Sequence, residues 1–271
     1  MPPVCSVIIP VFNQLFYTQL CLSRLRDTAG VGVEIIVVDN GSTDGTQEYL
    51  NEAFEQGVVD QYVRLAENYG FAVATNIGIE RSRCEYVCFS NNDVIYTDDW
   101  LKKLLATFED PECGVASPLR VGADLHTRRM EVAEPAFRNG RKFPAFKFPN
   151  EEDIPGIISE AVRLNGVVES KYSGQIERNN SMVAFFCTVF KRDLFDRLGL
   201  MSEQYVIGCV EDVDFCRRIT ERAHLKCVSR WDTFVYHFCS KTLYPVMGSW
   251  ENVNTLIQGN YKIYNETWGT P

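Results

Sequence analysis

The chain has 271 residues, of which 45% are hydrophobic, so it can bury the core of one large domain or of two small ones. Its formal net charge of −9 at pH 7 provides no basic field, which argues against a nucleic-acid partner. No apolar run approaches the roughly 18–20 residues that a membrane-spanning helix needs, so the sequence predicts no transmembrane segment.

Strand-like and helix-like segments alternate through the first part of the chain. Apolar runs predict strands at residues 6–11, 33–38, 58–65 and 85–89. Helical spacing of apolar residues predicts helices at 14–28, 46–54 and 71–82, and another after Thr97-Asp98-Asp99. This alternation favours an α/β fold in which helices cover a parallel sheet. Because right-handed connections bring the strand ends to one edge, Asp39, Asn68 and Asp93 should converge.

The second part of the chain is less regular. Residues 120–180 contain four prolines, several glycines and an acidic run, which predict long loops with small elements. Beyond them the patterns predict a strand at 182–190, a short helix from Asp193 to Gly199, an amphipathic helix at 211–223, strands at 225–228 and 233–236, and a helical tail at 249–268.

The ten cysteines are irregularly spaced and form no C-x-x-C pair. Cys5, Cys88 and Cys187 fall in apolar, strand-like runs, where a reduced cysteine behaves as a small hydrophobe. The N-terminal residues have neither a cationic segment nor a long apolar core, so we expect no signal peptide. These features predict a cytoplasmic protein with free thiols and leave peripheral attachment to a membrane open.

Polar residues follow three of the predicted strands. Asp39 could accept a hydrogen bond from a base or a ribose hydroxyl, or could simply start the bend that follows it. The block from Asn68 through Gly70 to Asn76 could let the backbone approach a flat ligand, or could be a turn with a helix N-cap. Asp93 follows Asn91-Asn92 where open α/β sheets bind ligands. Its carboxylate could hold a divalent cation against a diphosphate, or cap the next helix.

The later part of the chain adds two polar groups. Glu211 and Asp212 lie at the start of a predicted helix. They are either an ordinary capping pair, or one of them is a general base. His237 ends a predicted strand and is either a metal ligand or a structural histidine. Lys241 follows His237 closely in the sequence and could neutralise the charge of a phosphate bound beside that histidine.

In this order along the chain, these features resemble the inverting glycosyltransferases of family 2, which have the GT-A fold. The matching segments are residues 6–13, 34–45, 67–78, 89–101 and 211–218, and the His237-x-x-Ser240-x-Thr242 pattern. The Asn265-x-x-Trp268-Gly269 ending is similar to the tail of rhamnosyltransferase-like members.

The resemblance implies one GT-A domain over residues 1–271. Its Rossmann-like, mostly parallel central sheet would be flanked by helices, with a smaller antiparallel portion on the acceptor side. Residues 1–119 would bind the nucleotide-sugar, residues 120–248 would bind the acceptor and carry catalysis, and residues 249–271 would form the helical tail.

The resemblance also implies roles for individual residues. Those expected to bind the nucleotide-sugar are Pro10, Phe12, Asn13, Asp39, Asn68, Gly70, Asn76, Asn91, Asn92, Lys241 and Thr242. Asp93 and His237 would ligate Mg²⁺ or Mn²⁺ on the diphosphate. Asp212 would be the catalytic base, and Glu211 would contact the acceptor or donor. Asn91 occupies the first position of the family's usual Asp-x-Asp motif, which should weaken metal affinity.

The implied reaction is a single displacement that inverts the anomeric carbon. The donor would be a UDP- or dTDP-sugar, with rhamnose or another hexose favoured. The acceptor would be a hydroxyl of a glycan, a glycoprotein or a lipid-linked saccharide. A non-catalytic nucleotide-sugar or glycan-binding domain of the same fold is the alternative.

Other nucleotide-binding enzymes fit the sequence less well. A pyrophosphorylase would need a Gly-rich, Arg-containing loop after the first strand, where this chain has Pro10-Val11-Phe12-Asn13. A methyltransferase or dehydrogenase would need a Gly-x-Gly turn at that place, and the Gly30-Val31-Gly32 segment instead precedes a strand. No P-loop motif occurs.

Overall fold

The computed structural model of the protein describes residues 2–121, 154–180, 182–238 and 241–269. Within these ranges, nine strands form one sheet. The strands are β1 (Cys5–Val11), β2 (Val33–Asp39), β3 (Gln61–Arg64), β4 (Tyr86–Ser90), β5 (Val94–Tyr96), β6 (Cys113–Val121), β7 (Ile176–Asn180), β8 (Cys187–Lys191) and β9 (Lys226–His237). They lie in the order β3-β2-β1-β4-β8-β6-β9-β5, and β7 also pairs with β9.

The sheet has a parallel side and a mixed side. Strand β1 is parallel to both β2 and β4, and β3 is parallel to β2. Strand β8 runs antiparallel to β4 and β6, and both β5 and β7 run antiparallel to β9. Strands β6 and β9 are parallel to each other. The α/β architecture with an added antiparallel portion, predicted from the sequence, is therefore confirmed.

Helices cover both faces of this sheet. They are α1 (Leu15–Thr28), α2 (Thr46–Glu55), α3 (Phe71–Arg81), α4 (Trp100–Ala106), α5 (Ile154–Tyr172), α6 (Asp193–Leu198), α7 (Glu211–Glu221), α8 (Leu243–Met247) and α9 (Trp250–Trp268). A 3₁₀ turn at Thr107–Glu109 follows α4. The predicted helices of the first part and the predicted tail helix are all present, with small shifts at their ends.

The central strands are apolar on both faces because a helical layer covers each face. Along β1, Val7 and Ile9 pack in one core cluster with residues of α1 and α4, whereas Ile8 packs in a second cluster with residues of α3 and α7. This alternation follows from the two-residue repeat of a strand. A parallel strand buried on both faces reads as a continuous apolar run, which is how β1 and β2 appear in the sequence.

The prediction that residues 120–180 are mostly loop is wrong for their described second half. Residues 154–172 form the 19-residue helix α5, and strand β7 follows it. Ile157, Ala161, Leu164 and Val168 recur at helical spacing and are buried in a core cluster that includes residues of β9. Pro155 is compatible with this helix because it lies in the first turn, where its missing N–H would have no partner. Residues 122–153 lie outside the described residues.

Two predicted strand patterns differ in extent from the structure. The strands expected at 225–228 and 233–236 are one continuous strand, β9, whose pairing with β6 shifts register between Pro118 and Leu119. The middle of β9 is polar, so the apolar pattern of the sequence does not predict that it is extended. The register shift is where β9 stays one strand through this polar segment. The strand expected at 182–190 is confined to Cys187–Lys191.

The C-terminal helix α9 begins with an ordinary cap. The Ser249 hydroxyl accepts a hydrogen bond from the Asn252 backbone N–H at 3.1 Å, which satisfies one exposed donor of the first turn. None of the helices among the described residues is both long and apolar enough to cross a membrane. The nine cysteines in those ranges are free thiols.

We expect the packing of α3 on β1 to be sensitive to a single methyl group. A Cβ at Gly78 would overlap Ile8 Cγ2, whereas a Cβ at Gly166 in α5 would enter open space. Gly78→Ala should lower the free energy of unfolding by about 1–2 kcal/mol, because overpacking outweighs the gain in helix propensity. Gly166→Ala, the matched control, should raise it by about 0.5–1 kcal/mol. Urea unfolding measures both, and equal stability of the two variants would contradict this packing.

Candidate active site

A pocket of about 280 Å³ opens at the carboxyl ends of the parallel strands, where open α/β sheets bind ligands. Strands β1 and β4 contribute the residues at and just beyond their ends, and the start of α7 and the end of β9 complete the wall. The residues singled out from the sequence that line this pocket are Pro10, Phe12, Asn68, Asn91, Asn92, Asp93, Glu211, Asp212, His237, Lys241 and Thr242.

Asp93 and His237 form a close buried pair at the floor of the pocket. Asp93 Oδ1 lies 3.1 Å from His237 Nε2. Antiparallel pairing of β5 with β9 sets this distance, because Val94 lies opposite His237 and the Phe238 N–H donates to the Asp93 carbonyl at 3.0 Å. The imidazole also stacks on Phe186, with ring centroids 5.0 Å apart and planes within 6°. Backbone and side-chain contacts therefore hold both groups in place.

Asn91 adds a third polar group beside this pair. Its Nδ2 atom lies 3.1 Å from His237 Nε2, and its backbone N–H donates to the Phe186 carbonyl at 2.9 Å. An Asn side chain can turn its oxygen or its nitrogen toward such a neighbour. The carboxylate of Asp93, the imidazole of His237 and the amide of Asn91 therefore converge on one point.

These donor groups fit a divalent cation. Neighbouring ligands of an octahedral ion at about 2.1 Å lie about 3.0 Å apart, close to the 3.1 Å between Asp93 Oδ1 and His237 Nε2. This set of protein ligands is small. The described residues contain no group of three or more His, Cys, Asp or Glu side chains that could hold a metal. The protein alone would thus supply few ligands, which leaves coordination positions for a bound phosphate or water.

Glu211 and Asp212 face the pocket from the first turn of α7. Glu211 is buried, and its Oε2 has no hydrogen-bond partner among the described residues. Burial and the neighbouring charge of Asp212 raise the pKa of Glu211 to about 8, although backbone N–H groups of Glu211 and Cys209 act in the opposite direction. The raised pKa favours the protonated form of Glu211, which can donate a hydrogen bond. Asp212 is half-buried and accepts from the Val213 N–H at 2.8 Å.

Lys241 and Thr242 close another side of the pocket. Lys241 is buried, and its Nζ lies 5.7 Å from the centre of the Tyr17 ring, which is within cation–π range. Ser240, which belongs to the same sequence pattern, lies outside the described residues. A cation held here can attract a phosphate group in the pocket.

Asn92 reaches the pocket wall but also has a structural contact. Its Nδ2 donates to Thr18 Oγ1 at 3.0 Å and, at 3.4 Å, to the Asn13 carbonyl. The side chain of Asn13 accepts from the Thr43 N–H at 2.7 Å. Asn92 and Asn13 therefore tie together the loops after β4, β1 and β2, and Asn13 does not itself line the pocket.

Asp39 is fully buried and lies outside the pocket lining. Its carboxylate accepts from Arg64 Nη1 at 2.6 Å, the Tyr62 hydroxyl at 3.2 Å and the Ser42 N–H at 2.8 Å. These partners come from β3 and from the turn after β2. The expected convergence therefore brings Asn68 and Asp93 to the pocket wall, whereas Asp39 is occupied with neighbouring protein groups.

Gly70 and Asn76 shape the pocket without lining it. Gly70 has φ +92°, and a Cβ there would lie 3.1 Å from the Ile207 backbone nitrogen, so only glycine fits without a shift. Asn76 in α3 is buried and exchanges hydrogen bonds with the backbone of Met201, donating at 3.0 Å and accepting at 2.9 Å. It also donates to Glu203 at 2.8 Å. Both residues hold the 201–210 segment against α3.

Several lining residues were not predicted from the sequence. They are Val11, Asn40, Phe71, Ala184, Phe185, Phe186, Ile207, Gly208, Cys209, Leu243 and Val246. Asn40 follows β2 directly, so the strand-end rule could have identified it. Its side chain donates to the Gly70 carbonyl at 2.9 Å and accepts from the Tyr69 N–H at 3.0 Å. The others are apolar or small and carry no pattern that marks a site.

Comparison with known proteins assigns the chain to a family. Residues 6–199 match glycosyl transferase family 2. The chain is 24% identical over 243 residues to the uncharacterized protein y4gI of Sinorhizobium fredii, covering 87% of this chain and 24% of that protein. It is 36% identical over 143 residues to polypeptide N-acetylgalactosaminyltransferase 6 of Bos taurus, covering 50% of this chain and 22% of that protein. The chain thus spans about a quarter of the length of these relatives.

Solved structures share the fold. The mannosyltransferase PcManGT of Pyrobaculum calidifontis, in complex with GDP-Man and Mn²⁺, superposes with a TM-score of 0.61 at 20% identity, over 91% of this chain and 60% of that chain. S. aureus TarS 1–349 in complex with UDP gives a TM-score of 0.57 at 17% identity, over 86% of this chain and 60% of that chain. The expected GT-A fold is confirmed. The chain belongs to glycosyl transferase family 2.

Proposed function

We propose that this protein is an inverting glycosyltransferase that moves a hexose from a nucleoside-diphosphate donor to a hydroxyl of a glycan acceptor. The observation that carries the proposal is the presence, in one pocket, of the Asp93–His237 pair and the carboxyl groups of Glu211 and Asp212. The first pair suits a metal-bound diphosphate, and the second suits an acceptor hydroxyl. Family membership supports the same reaction class.

The donor end of the pocket lies near the ends of β1 and β4. Pro10, Phe12 and Asn68 would border the base and ribose. Asp39, Asn13, Gly70 and Asn76 would support that end from behind, through the contacts described above. UDP or dTDP is the proposed nucleotide and rhamnose the preferred sugar; TarS has been solved with UDP, whereas PcManGT has been solved with GDP-Man.

Asp93 and His237, with Asn91 beside them, would hold Mn²⁺ or Mg²⁺. The ion would stabilise the charge that develops on the leaving diphosphate. PcManGT and GalNAc-T7 were both solved with Mn²⁺. Lys241 and Thr242 would add a cation and a hydroxyl to the phosphate-binding wall.

Asp212 would act as the general base. The acceptor oxygen forms a bond to the anomeric carbon while the bond from that carbon to the diphosphate oxygen breaks, and the acceptor proton passes to Asp212. A carboxylate is too weak a base to deprotonate a sugar hydroxyl beforehand, so proton transfer accompanies bond formation. Protonated Glu211 would donate a hydrogen bond to the acceptor or donor and orient it beside Asp212.

We expect Asp212→Asn to lower the rate of sugar transfer by about 10²–10⁴-fold, because the variant cannot accept the proton. Donor affinity should stay close to that of the wild type, since the Asp93–His237 pair belongs to other elements. The matched control is Asp193→Asn, the same change at an exposed position in the first turn of α6. Transfer assays and calorimetric titration with the donor measure both quantities, and full activity of Asp212→Asn would refute the assignment of the base.

A donor screen tests the function itself. Turnover should be observed with one of UDP-glucose, UDP-galactose, UDP-N-acetylglucosamine, UDP-rhamnose, dTDP-rhamnose or GDP-mannose in the presence of Mn²⁺, and Asp93→Ala should abolish it. The cause would be loss of the carboxylate that faces His237 Nε2 at 3.1 Å. Binding of a donor without turnover on any supplied acceptor would favour a non-catalytic binding domain. Failure to bind every donor would reject the nucleotide pocket.

Glu211 should make stability depend on pH. Its pKa is raised from 4.5 to about 8, so between these pH values the folded protein keeps a proton that the unfolded chain has released. Stability should therefore fall as the pH rises through this window. Glu211→Gln stays neutral and should flatten that dependence, whereas Glu48→Gln, at an exposed first-turn position of α2, should not. Urea unfolding across the window measures the slope; an unchanged slope in Glu211→Gln would contradict a protonated Glu211.

A further inference from the structure

The turn that leads into α7 has an unusual backbone. Ile207, Cys209 and Val210 have φ values of 66°, 71° and 78°, and Gly208 has φ 154°. Ile207 and Val210 are β-branched, and such residues rarely adopt the left-handed region because of steric strain. A run of this kind persists only where surrounding contacts impose it. We call residues 207–210 the strained turn.

The strained turn determines where the carboxyl groups of α7 point. Ile207, Gly208 and Cys209 line the pocket, and Glu211 and Asp212 follow the turn directly. A change of backbone conformation within the turn would rotate the start of α7 and move both carboxyl groups. The contacts that impose the conformation therefore control the geometry of the site.

One such contact comes from the nucleotide side. The Phe71 N–H donates to the Ile207 carbonyl at 2.8 Å, and Gly70 leaves just enough space for the Ile207 backbone. This contact fixes the first residue of the strained turn. The carbonyl groups of Gly208 and Cys209 take no part in this contact and are bound from the opposite side.

That opposite side is formed by Asn260 of the C-terminal helix α9. Asn260 is buried, and its Nδ2 lies 2.8 Å from the Gly208 carbonyl, 3.2 Å from that of Cys209 and 3.4 Å from that of Val206. Only the amide nitrogen of Asn can face three acceptors, which fixes the orientation of the side chain. Among the described residues of α9, Asn260 and Val253 are the buried ones.

The end of α9 is anchored to α7 itself. Trp268 Nε1 donates to Asp214 Oδ1 at 2.7 Å, and the guanidinium groups of Arg217 and Arg222 lie 4.7 Å and 4.6 Å from the Trp268 ring. Asp214 is also paired with Arg218. Helix α9 is therefore fastened to the helix whose first turn carries the carboxyl groups, and Asn260 reaches the turn from a fixed support.

We propose that Asn260 is a positioning residue that holds the strained turn from α9 and so places Glu211 and Asp212 for sugar transfer. This inference rests on the proposed function for its catalytic consequence, although the contact itself does not depend on it. The C-terminal helix is then part of the active-site machinery, while Asn260 lies outside the pocket lining. Removing the amide donor should affect the acceptor side of the reaction and spare the donor side, which lies at the ends of β1, β4 and β9.

Asn260→Asp tests the proposal because it nearly preserves shape but replaces the donor with an oxygen that the three carbonyls repel. We expect kcat to fall by about 10²-fold, the effect of misplacing a reacting group by about 1 Å. The dissociation constant for UDP with Mn²⁺ should stay close to the wild-type value, because the groups proposed to bind it belong to other elements. Asn254→Asp, the same change at an exposed position of α9, is the matched control and should retain wild-type values.

Hydrogen–deuterium exchange of the peptide 205–212 supplies a readout that does not need activity. Exchange there should rise in Asn260→Asp and not in Asn254→Asp, with the rest of the chain unchanged. Asn260→Ala, which removes the donor without adding charge, should behave in the same direction and serves if the Asp variant does not fold. If the wild type turns over no donor, the proposed function fails. Hydrogen–deuterium exchange then still tests whether Asn260 holds the strained turn. Unchanged exchange, unchanged kcat, or a parallel loss of kcat, UDP affinity and thermal stability would overturn the proposal.

Discussion

The pairing of β9 with its neighbours is the constraint on which the pocket depends. Strand β9 pairs with β5, β6 and β7, and α5 packs on it, so its register is determined by several neighbours at once. That register places His237 opposite Val94 and next to Asp93. A slip by one residue would turn the imidazole to the other face of the sheet. The polar pair at the pocket floor is thus a product of the backbone ladder.

The other wall of the pocket is built from groups that are locally unfavourable. Glu211 is buried, and one of its carboxyl oxygens has no hydrogen-bond partner in the described part of the chain. The strained turn before it contains two β-branched residues in the left-handed region. Such features cost stability, and they persist where the surrounding fold over-determines them. Here the surroundings are the Phe71 and Asn260 contacts on either side. Local strain at this place, in an otherwise consistent fold, is typical of a functional site.

The two walls of the pocket come from different parts of the chain. The strand ends carry Asn91 and Asp93, and the first turn of α7 carries Glu211 and Asp212. Helix α9 holds the strained turn that precedes α7. This division separates the groups that suit a diphosphate from those that suit a hydroxyl.

Most elements could be predicted from the sequence, because apolar periodicity reports which faces are buried. The continuous apolar runs of β1 and β2 were recognisable as strands covered on both sides. Proline content alone does not exclude helix α5, because proline is compatible with the first turn of a helix. The signal for this helix is the spacing of Ile157, Ala161 and Leu164. Strand β9 reads as two strands in the sequence because its polar middle has no apolar alternation, and its extended conformation there depends on pairing with β6.

The sequence by itself determined the α/β architecture, the strand-end position of Asp93 and the helix-start position of Glu211 and Asp212, since these depend on local periodicity and turn chemistry. Tertiary structure alone decided that His237 lies 3.1 Å from Asp93, that Asp39 is occupied by Arg64, and that Asn260 reaches the turn before Glu211. These contacts join residues far apart in the chain. Their distances follow from strand register and helix docking, which no local pattern encodes.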